Sequence, residues 1–448
     1  MVLLKRCISI FEKEEIIKKL LDELKMTKPN YDKKWRYYSG DHDILHKRIV
    51  NDPMKNDMRV YFNYCRKMVQ NSVGYLLGKP VSYNSKTDNK EFLSLIDYNF
   101  NTWEHNHNIK LKIISSINGH AYEVSFINSE GDFQCAVYHP SEMIVLHDNS
   151  VENRITLAVR KYKVKFDDSE YIDVWDDTHF RNYKINGGTY ELLDEKKHRF
   201  SRCPVRELRN NDSKKSTFED IMRIVDIYNS IHSANAQEIM DHRNAYLVLQ
   251  NCKIELEEAK KMRDNGILML PNPQAKAYWL TKDINANFVK DELQMLQDEI
   301  YAQSHQVNLN ENFQSNTSGV TIRLKLQELE NQSAISESDF DQLLKSRLKL
   351  FCEYLKVSEN KEFDYKDIAI SFTRNVPVDD VANAQMVAAL NGIVPHEDLL
   401  GKLSFISNPS AAYERLLKQL ENSKDVTSGN SDLIVIPAHE DPVDPTGF

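Results

Sequence analysis

Five aspartates lie close together in one stretch of the sequence: Asp167, Asp168, Asp173, Asp176 and Asp177. Clustered carboxylates are the ligands with which a two-metal nuclease holds its ions. Lysine and arginine side chains are interleaved with these acids, and the local pattern is that of strands and turns. We therefore interpret the stretch as an exposed hairpin edge, and we keep a metal-dependent nuclease as the alternative hypothesis.

Two pairs of histidines are close enough in the sequence to suggest a metal site. His42 and His46 have the i,i+4 spacing that places two imidazoles on one face of a helix, and His105 and His107 are also near neighbours. Neither pair carries the glutamate of the HExxH motif. We expect solvated histidines, or histidines at the edge of a core.

The stretch 74-GYLLGKP-80 comes nearest to a phosphate-binding loop. It has three residues between its glycines where the motif has four, and Pro80 stands where the magnesium-binding Ser or Thr belongs. It also follows a predicted helix, whose carboxyl end repels phosphate. We expect Gly78 to cap that helix. No GxSxG motif and no cysteine with a recognisable base motif is found, so we predict no catalytic residue, no metal site and no cofactor.

The composition of the 448-residue chain is that of a globular protein with about three domain-sized bodies. Its net charge of −9 argues against a conventional basic DNA-binding protein, because such proteins cluster Lys and Arg against phosphates. The six cysteines are scattered singly, as in a reduced cytosolic protein. No apolar run is long enough for a membrane span, and no signal-peptide cleavage site follows the N-terminus. We expect a soluble intracellular chain.

The periodicity of the apolar residues predicts an α+β fold that is predominantly helical. Spacings of three and four predict helices up to about residue 118. Strict alternation over residues 119–208 then predicts a β-rich, mostly antiparallel body.

Two predicted helices, at 217–250 and 287–307, are too polar to form a core of their own. They bracket a small α/β insert at 251–285. Such helices are explained if copies of the chain stand side by side around a hole, each burying one face against its neighbour.

The loop after the second of these helices carries almost no charge. From Gln306 to Val320 the only charged residue is Glu311. A DNA duplex passing this loop would exchange weak hydrogen bonds with amides and hydroxyls, and it would meet no ring of cations that grips phosphates. An ordinary polar connection between two helices remains an equal alternative on the loop alone.

One apolar register then continues from Ile322 to Leu355 through a polar middle. It predicts a helix at 320–356, which is much longer than a typical globular helix. A return strand within 357–378 and short helices within 379–421 are predicted to follow, before a mobile tail.

Four runs of the sequence, in the right order along nearly the whole chain, carry a family resemblance: 37-YYSGDHDIL-45, 60-VYFNYCRKMVQNSVGYLLGKPVSY-83, 317-TSGVTIRLKLQELE-330 and 404-SFISNPSAAYERLLKQLE-421. They resemble the portal (head–tail connector) proteins of tailed double-stranded-DNA bacteriophages, of the siphophage type. The resemblance implies a non-enzymatic dodecameric ring at a single capsid vertex of the virion, made in the host cytoplasm. DNA would be pumped through it by a separate terminase and later released.

The resemblance also implies how the chain is divided. The implied parts are a wing at 1–216, a stem helix at 217–250, a clip at 251–285, a second stem helix at 286–307, a tunnel loop at 308–319, a long wing helix at 320–356, a wing return strand at 357–378, a crown at 379–421 and a flexible tail at 422–448. The predicted crown helices are few and short for this family, which puts the size of the crown in doubt.

Site residues are carried over by the same resemblance. The tunnel loop would present to DNA Asn310, Asn312, Gln314, Ser315, Asn316, Thr317, Ser318 and Gly319. The stem would line the lumen with Asp298, Glu299, Gln303 and His305. The clip would dock the terminase large subunit and a head-completion or adaptor protein through Glu257, Lys260, Lys261, Arg263, Lys276, Tyr278 and Trp279.

The other implied partners are sister copies, non-specific double-stranded DNA, and the major capsid and scaffold proteins, with no membrane. Two alternatives stay open. One is the metal-dependent nuclease, and the other is a virion or scaffolding protein that assembles without a ring of DNA-sized bore.

Overall fold

The computed structural model describes residues 10–47, 57–187, 189–242, 246–251, 255–265, 270, 273–280, 286–308, 326–375, 380–390, 392–400, 403, 406, 412, 413 and 415–418. The chain divides into two units, Met1–Asn375 and Val376–Phe448.

Eight α-helices of the first unit and two of the second have described bounds. Those of the first unit are α1 Ile10–Ser39, α2 Tyr64–Leu77, α3 Lys90–Phe100, α4 Glu104–Asn118, α5 Met222–His242, α6 Leu256–Asn265, α7 Ala286–Gln303 and α8 Gln327–Ser358. Those of the second are α9 Asp380–Leu390 and α10 His396–Leu400. Asparagine caps begin two of them, since Asn63 accepts from the backbone N–H of Arg66 and Asn89 from that of Phe92.

The described strands, all in the first unit, pair antiparallel in four sheets. They are β1 Ser82–Ser85, β2 His120–Ile127, β3 Phe133–Tyr138, β4 Met143–His147, β5 Ile155–Lys163, β6 Glu170–Asp176, β7 His179–Asn186, β8 Thr189–Lys197, β9 Val205–Arg209, β10 Tyr246–Gln250, β11 Lys276–Leu280 and β12 Ile368–Ser371. The larger sheets have the orders β3-β2-β9 and β4-β5-β6-β7-β8, and β1 pairs with β12 and β10 with β11. The predicted antiparallel body and the mixed α+β fold are confirmed.

Helices cover one face of each of the two larger sheets. Ile17 and Leu20 of α1 pack against Val159 and Val174 on the five-stranded sheet. The long helix α8 belongs to a second core, in which Phe340 and its neighbours pack with α2, α4 and β9.

The chain turns from α4 into β2 through Gly119, which has φ +95°. A Cβ there would lie 1.8 Å from the carbonyl oxygen of Lys214. Gly131 has nearly the same φ, +96°, but a Cβ at that position would meet no described atom within 4 Å. We expect Gly131→Ala to lower the free energy of unfolding by about 1–2 kcal/mol from backbone strain alone. Gly119→Ala should cost about 1–2 kcal/mol more because it adds a backbone overlap.

Denaturant titration followed by circular dichroism measures both glycine variants. Equal losses in the two variants would show that the loop at Lys214 moves aside without cost.

The helix predicted at 217–250 is wrong at both ends. Residues 217–221 form turns, α5 ends at His242, and residues 246–250 are strand β10. The partner of β10 is β11, which follows α6 in the sequence. A strand whose partner is distant in the sequence gives little local signal, so its apolar run resembles the end of a helix. The insert therefore begins at β10 and not at residue 251.

The long helix is continuous through its polar middle, as predicted. It spans 32 residues, ends at Ser358 and begins at Gln327, and residues 320–325 lie outside the described part. Cationic side chains from other elements meet its polar residues. Arg374 Nη2 is 2.8 Å from Glu330 Oε1 and Arg374 Nη1 is 2.6 Å from Glu337 Oε2. Lys112 donates to Ser336. One face of the polar stretch is thus a buried-to-half-buried contact surface, and the other face is exposed.

The remaining predicted segments agree in kind and differ in extent. Within 357–378 the return strand is β12, which pairs with β1. Two short helices, α9 and α10, occur in the predicted crown region. Six of the twelve residues of the helix predicted at 410–421 are described, and all six are helical. The tail from 422 lies outside the described residues.

Candidate functional site

Two of the aspartates that suggested a metal site, Asp173 and Asp176, do not lie at an exposed edge, so the interpretation as an exposed hairpin edge is wrong for them. Asp168 is exposed in the connection between β5 and β6, as that interpretation predicts. Strand β6, which carries Asp173 and Asp176, is the middle strand of five. The two residues are only 6% and 7% exposed. Asp173 accepts a hydrogen bond of 2.7 Å from Asn182 Nδ2 and faces Arg160, and Arg181 Nη1 is 2.6 Å from Asp176 Oδ2. Each carboxylate is neutralised by its own cross-strand partner.

The other acids of this stretch are also used separately. Asp167 accepts from the hydroxyl of Tyr171 at 2.6 Å and from the backbone of Ser169, and these bonds lower the pKa of Asp167 to about 2. Asp177 accepts from the backbone N–H of Cys203. Among the residues that the structure describes, no three His, Cys, Asp or Glu side chains are grouped to hold a metal ion.

The histidine pairs do not share a helix face. A short 3-10 helix, Asp43–Leu45, separates His42 from His46. His42 is buried beside Tyr37, and burial lowers its pKa, whereas His46 lies beside Asp41 at the surface. His107 belongs to a buried network, with Nε2 2.7 Å from Glu123 Oε2.

The glycine-rich stretch ends a helix, as predicted. Gly78 follows the last residue of α2. A Cβ at Gly78 would lie 2.4 Å from the side-chain nitrogen of Asn375, whose backbone N–H bonds to Tyr75 O. This glycine lets the segment after β12 approach α2 closely, which is a structural role.

Helices α5 and α7 pack together over α2. Val225 and Tyr228 of α5 share a core with Ile300 and Tyr301 of α7 and with Met68 of α2. Away from that core, a groove of about 470 Å³ opens between the two helices. The two helices therefore have a well-packed end and a more open end.

Both helices leave apolar side chains exposed. On α5, Ile227 is 52% exposed and shares a stripe of exposed positions with Ser230 and Ala234. On α7, Met295 is 58% exposed and is followed one heptad later by the exposed Ala302. Apolar strips beside a core are typical of surfaces that pack against another chain.

The residues predicted to line a lumen are exposed and lie beside this strip. Asp298 and Glu299 flank the Met295 strip on its two sides, and Gln303 donates to Glu299. His305 lies beyond the end of α7 with φ +55°, and its Nδ1 is 3.8 Å from Glu328 Oε2. The structure brings three of the four together on one helix surface. The direction in which this surface faces in an assembly stays a prediction.

All eight residues predicted for the DNA-facing loop lie in the segment 309–325, outside the described residues. The chain on both sides of that segment is attached to α2. Gln306 Nε2 donates to Ser72 Oγ at 2.8 Å before the segment, and the Tyr75 hydroxyl donates to Glu330 Oε2 at 2.6 Å after it. The loop thus leaves from and returns to one helix.

The predicted docking residues lie on the small insert formed by β10, α6 and β11. Glu257, Lys260 and Lys261 are exposed on α6, and Lys276 and Tyr278 are exposed on β11, with Tyr278 48% exposed. Arg263 and Trp279 lie on the same two elements, and their side chains are outside the described part. The structure therefore brings the predicted set together on one insert.

A buried charge network has no counterpart among the sequence predictions. Arg347 of α8 is completely buried and donates to Glu104 Oε1 at 2.7 Å, to Asn108 Oδ1 at 2.9 Å and to both carboxylate oxygens of Glu123. The only local signal is an arginine next to Leu348 in the apolar register of a helix. Its acidic partners lie more than two hundred positions away in the sequence. The network ties α8 to α4 and β2.

No described helix combines the length and the apolar character that crossing a membrane requires.

Two solved structures resemble the chain weakly. A chain from the neck of the native GTA particle computed with C12 symmetry is 11% identical, covers 76% of this chain and 89% of its own length, and has a TM-score of 0.45. A chain from the neck of the empty GTA particle computed with C6 symmetry is 11% identical, covers 79% of this chain and 87% of its own length, and has a TM-score of 0.44.

Sequence comparisons cover almost the whole chain. The portal protein of Clostridium phage phiCD119 is 25% identical, and the match covers 87% of this chain and 92% of that protein. The portal protein of Bacillus phage SPP1 is 23% identical, and the match covers 89% of this chain and 86% of that protein. The profile of the family described as "Phage portal protein, SPP1 Gp6-like" matches residues 17–425. The chain therefore belongs to the SPP1 Gp6-like family of phage portal proteins.

Proposed function

We propose that twelve copies of this chain form a closed ring at a single capsid vertex, and that double-stranded DNA enters and leaves the capsid through its channel. The observation that carries the proposal is the pair of exposed apolar strips, one on α5 and one on α7, in a portal-family chain. Ile227 and Met295 are each more than half exposed beside a well-packed core. In a cyclic assembly each copy covers the strip of the next, and no strip is left over.

In this proposal α5 and α7 are the stem, and the insert from β10 to β11 is the clip. The wing comprises the body up to the start of α5 together with α8 and β12, and the short helices α9 and α10 belong to the crown. The segment 308–319 is the tunnel loop. Its anchoring on α2 supports this assignment, because a loop held at both ends can project towards an axis without loosening the body.

The charges of the stem and the loop are those expected of a channel that does not bind DNA tightly. Asp298 and Glu299 lie exposed on α7, and carboxylates repel phosphates. The loop offers amides and hydroxyls, whose hydrogen bonds exchange readily with water. Each lysine in such a channel would add salt-dependent affinity and resist sliding. DNA passes without sequence recognition, and the energy for packaging comes from a separate terminase.

The partners follow from the position of each part. The clip, which exposes Lys260, Lys261 and Tyr278, docks the terminase large subunit during packaging and a head-completion or adaptor protein afterwards. The wing contacts the major capsid and scaffold proteins. The protein is made in the host cytoplasm and becomes part of the virion.

Placing a charge in the apolar strip tests the ring. We expect Ile227→Glu with Met295→Glu to abolish ring formation, because each copy would bury two carboxylates against its neighbour. The matched control is Met26→Glu with Val151→Glu, two apolar residues that are 82% and 107% exposed on other elements. Light scattering and negative-stain electron microscopy of the purified proteins are the measurements.

Wild-type and control proteins should form rings with a central hole, while the strip variant stays monomeric with an unchanged circular dichroism spectrum. Rings formed by the strip variant, or a wild-type protein that remains monomeric at every concentration and salt, would contradict the proposal. Assemblies without a DNA-sized bore would instead support the scaffolding alternative.

A further inference from the structure

A groove of the first unit lies where α1 crosses one end of the five-stranded sheet. It has a volume of about 840 Å³ and is formed by α1, the turn before β4, and strands β5 to β8. None of its lining residues belongs to α5, α7 or the insert, so it is not used by the proposed stem or clip.

The groove is basic, although the chain as a whole is acidic. Its lining contains six lysines and arginines but only three acids, in a chain of net charge −9. Two of those acids are already paired, since Lys161 Nζ is 2.6 Å from Glu170 Oε2 and Arg160 Nη2 is 3.4 Å from Glu142 Oε2. Asp22 is the remaining acid.

Four lysines of the lining form no salt bridge with another described residue: Lys18, Lys25 and Lys28 on α1, and Lys163 at the end of β5. They stand on two elements that face each other across the groove. The pKa of Glu170 is lowered mainly by its hydrogen bond from Lys161, and the charges of Lys163 and Lys28 lower it further. Lysines from both walls of the groove therefore act on the same carboxylate.

The floor between these walls is partly apolar. Leu21 and Leu24 of α1 lie opposite Ile185 and Tyr190 of the sheet. A nucleic-acid backbone gains nothing from such an apolar floor. A peptide with apolar side chains on one face and carboxylates on the other is complementary to both features.

We propose that this groove docks an acidic amphipathic segment of another protein. Its apolar side chains would pack on Leu21, Ile185 and Tyr190, and its carboxylates would pair with the four lysines of the two walls. The inference does not depend on ring formation, because every contact comes from one copy of the chain.

Fluorescence anisotropy with the full-length protein tests the groove. The probe is a labelled short peptide of repeating Glu-Glu-Leu-Leu, and the matched probes are the same peptide with glutamine for each glutamate and a labelled short DNA duplex. We expect the acidic peptide to bind more tightly than either matched probe, and its binding to weaken as salt is raised.

Two pairs of charge reversals, one inside the groove and one outside it, identify the site. Lys25→Glu with Lys28→Glu should weaken binding of the acidic peptide about tenfold or more. The control, Lys90→Glu with Lys366→Glu, changes two exposed lysines outside the groove and should leave binding unchanged. Lys18→Glu with Lys163→Glu provides a second groove variant should the first fail to fold.

Three outcomes would overturn the proposal. Equal weakening by groove and control variants would indicate non-specific attraction. Tighter binding of the duplex through the same lysines would make the groove a nucleic-acid site. Loss of peptide binding when the protein oligomerises would make it a contact between copies.

Discussion

Replacing Arg347 with methionine should lower the free energy of unfolding by about 3–5 kcal/mol, because it leaves two buried carboxylates without their counter-charge. Glu123 is 0% exposed and Glu104 is 8% exposed. Arg347 donates to both and also to Asn108. Methionine fills much of the same space, so the loss reports the charge network more than a cavity.

The pH dependence of the stability distinguishes the loss of this charge network from a packing defect. In the wild type, burial by itself would raise the pKa of Glu123, but the charge of Arg347 and the hydrogen bond with His107 outweigh it and hold the pKa at about 2. A depressed carboxyl pKa stabilises the fold above the unfolded value of about 4.3 and loses that contribution as the pH falls towards 2.

The variant should behave in the opposite way. Without the arginine, burial raises the pKa of Glu123, and protonation relieves the cost of burying its carboxylate. We therefore expect the stability gap between variant and wild type to narrow as the pH is lowered from about 7.5 to about 5. Denaturant titrations at both pH values measure the gap.

Lys345→Met is the matched control for this network. Lys345 lies on the same helix, is exposed and pairs with Asp341 at 2.6 Å. Its replacement should change stability by less than about 1 kcal/mol, because exposed ion pairs contribute little. A loss at Arg347 no larger than at Lys345, or a gap that is the same at both pH values, would show that the network is not what holds α8 in place.

Local periodicity is enough to predict most of the elements. The alternation over 119–208 predicts the antiparallel body, and the register that runs through Leu344 and Leu348 predicts a continuous α8. In each case one face of the element lies against a neighbouring element, so apolar residues recur at a regular spacing in the sequence.

Features that depend on partners distant in the sequence produce no such periodicity. Strand β10 pairs with β11 across the insert, and Arg347 reaches acids on α4 and β2. Neighbours in the sequence do not reveal these partners, so the prediction is wrong for β10 and absent for Arg347. The prediction is also wrong for Asp176, although Arg181 is only five positions away, because its burial depends on the whole five-stranded sheet around β6. The site residues on α7 and the insert come from the family resemblance and not from any pattern in their own residues.

Introducing lysine into the loop should stall DNA packaging while leaving the ring intact. In the proposed ring, Asn316→Lys with Ser318→Lys adds two cations per copy around the duplex. Each lysine–phosphate contact releases counterions and adds affinity, so the duplex is held where it should slide. We expect the packaging rate in a reconstituted head-filling assay to fall by about tenfold or more at low salt.

The salt dependence of the packaging rate distinguishes electrostatic retention of DNA from misfolding of the loop. Because the added contacts are electrostatic, raising the ionic strength should restore part of the lost rate, whereas a damaged loop would stay slow. Asn316→Gln with Ser318→Thr keeps the loop uncharged and should package normally. Both variants should form rings indistinguishable from wild type, since the loop lies outside the strips on α5 and α7 that we propose join the copies. Normal DNA filling by the lysine variant at low salt would refute the assignment of residues 308–319 as the segment that faces the moving duplex.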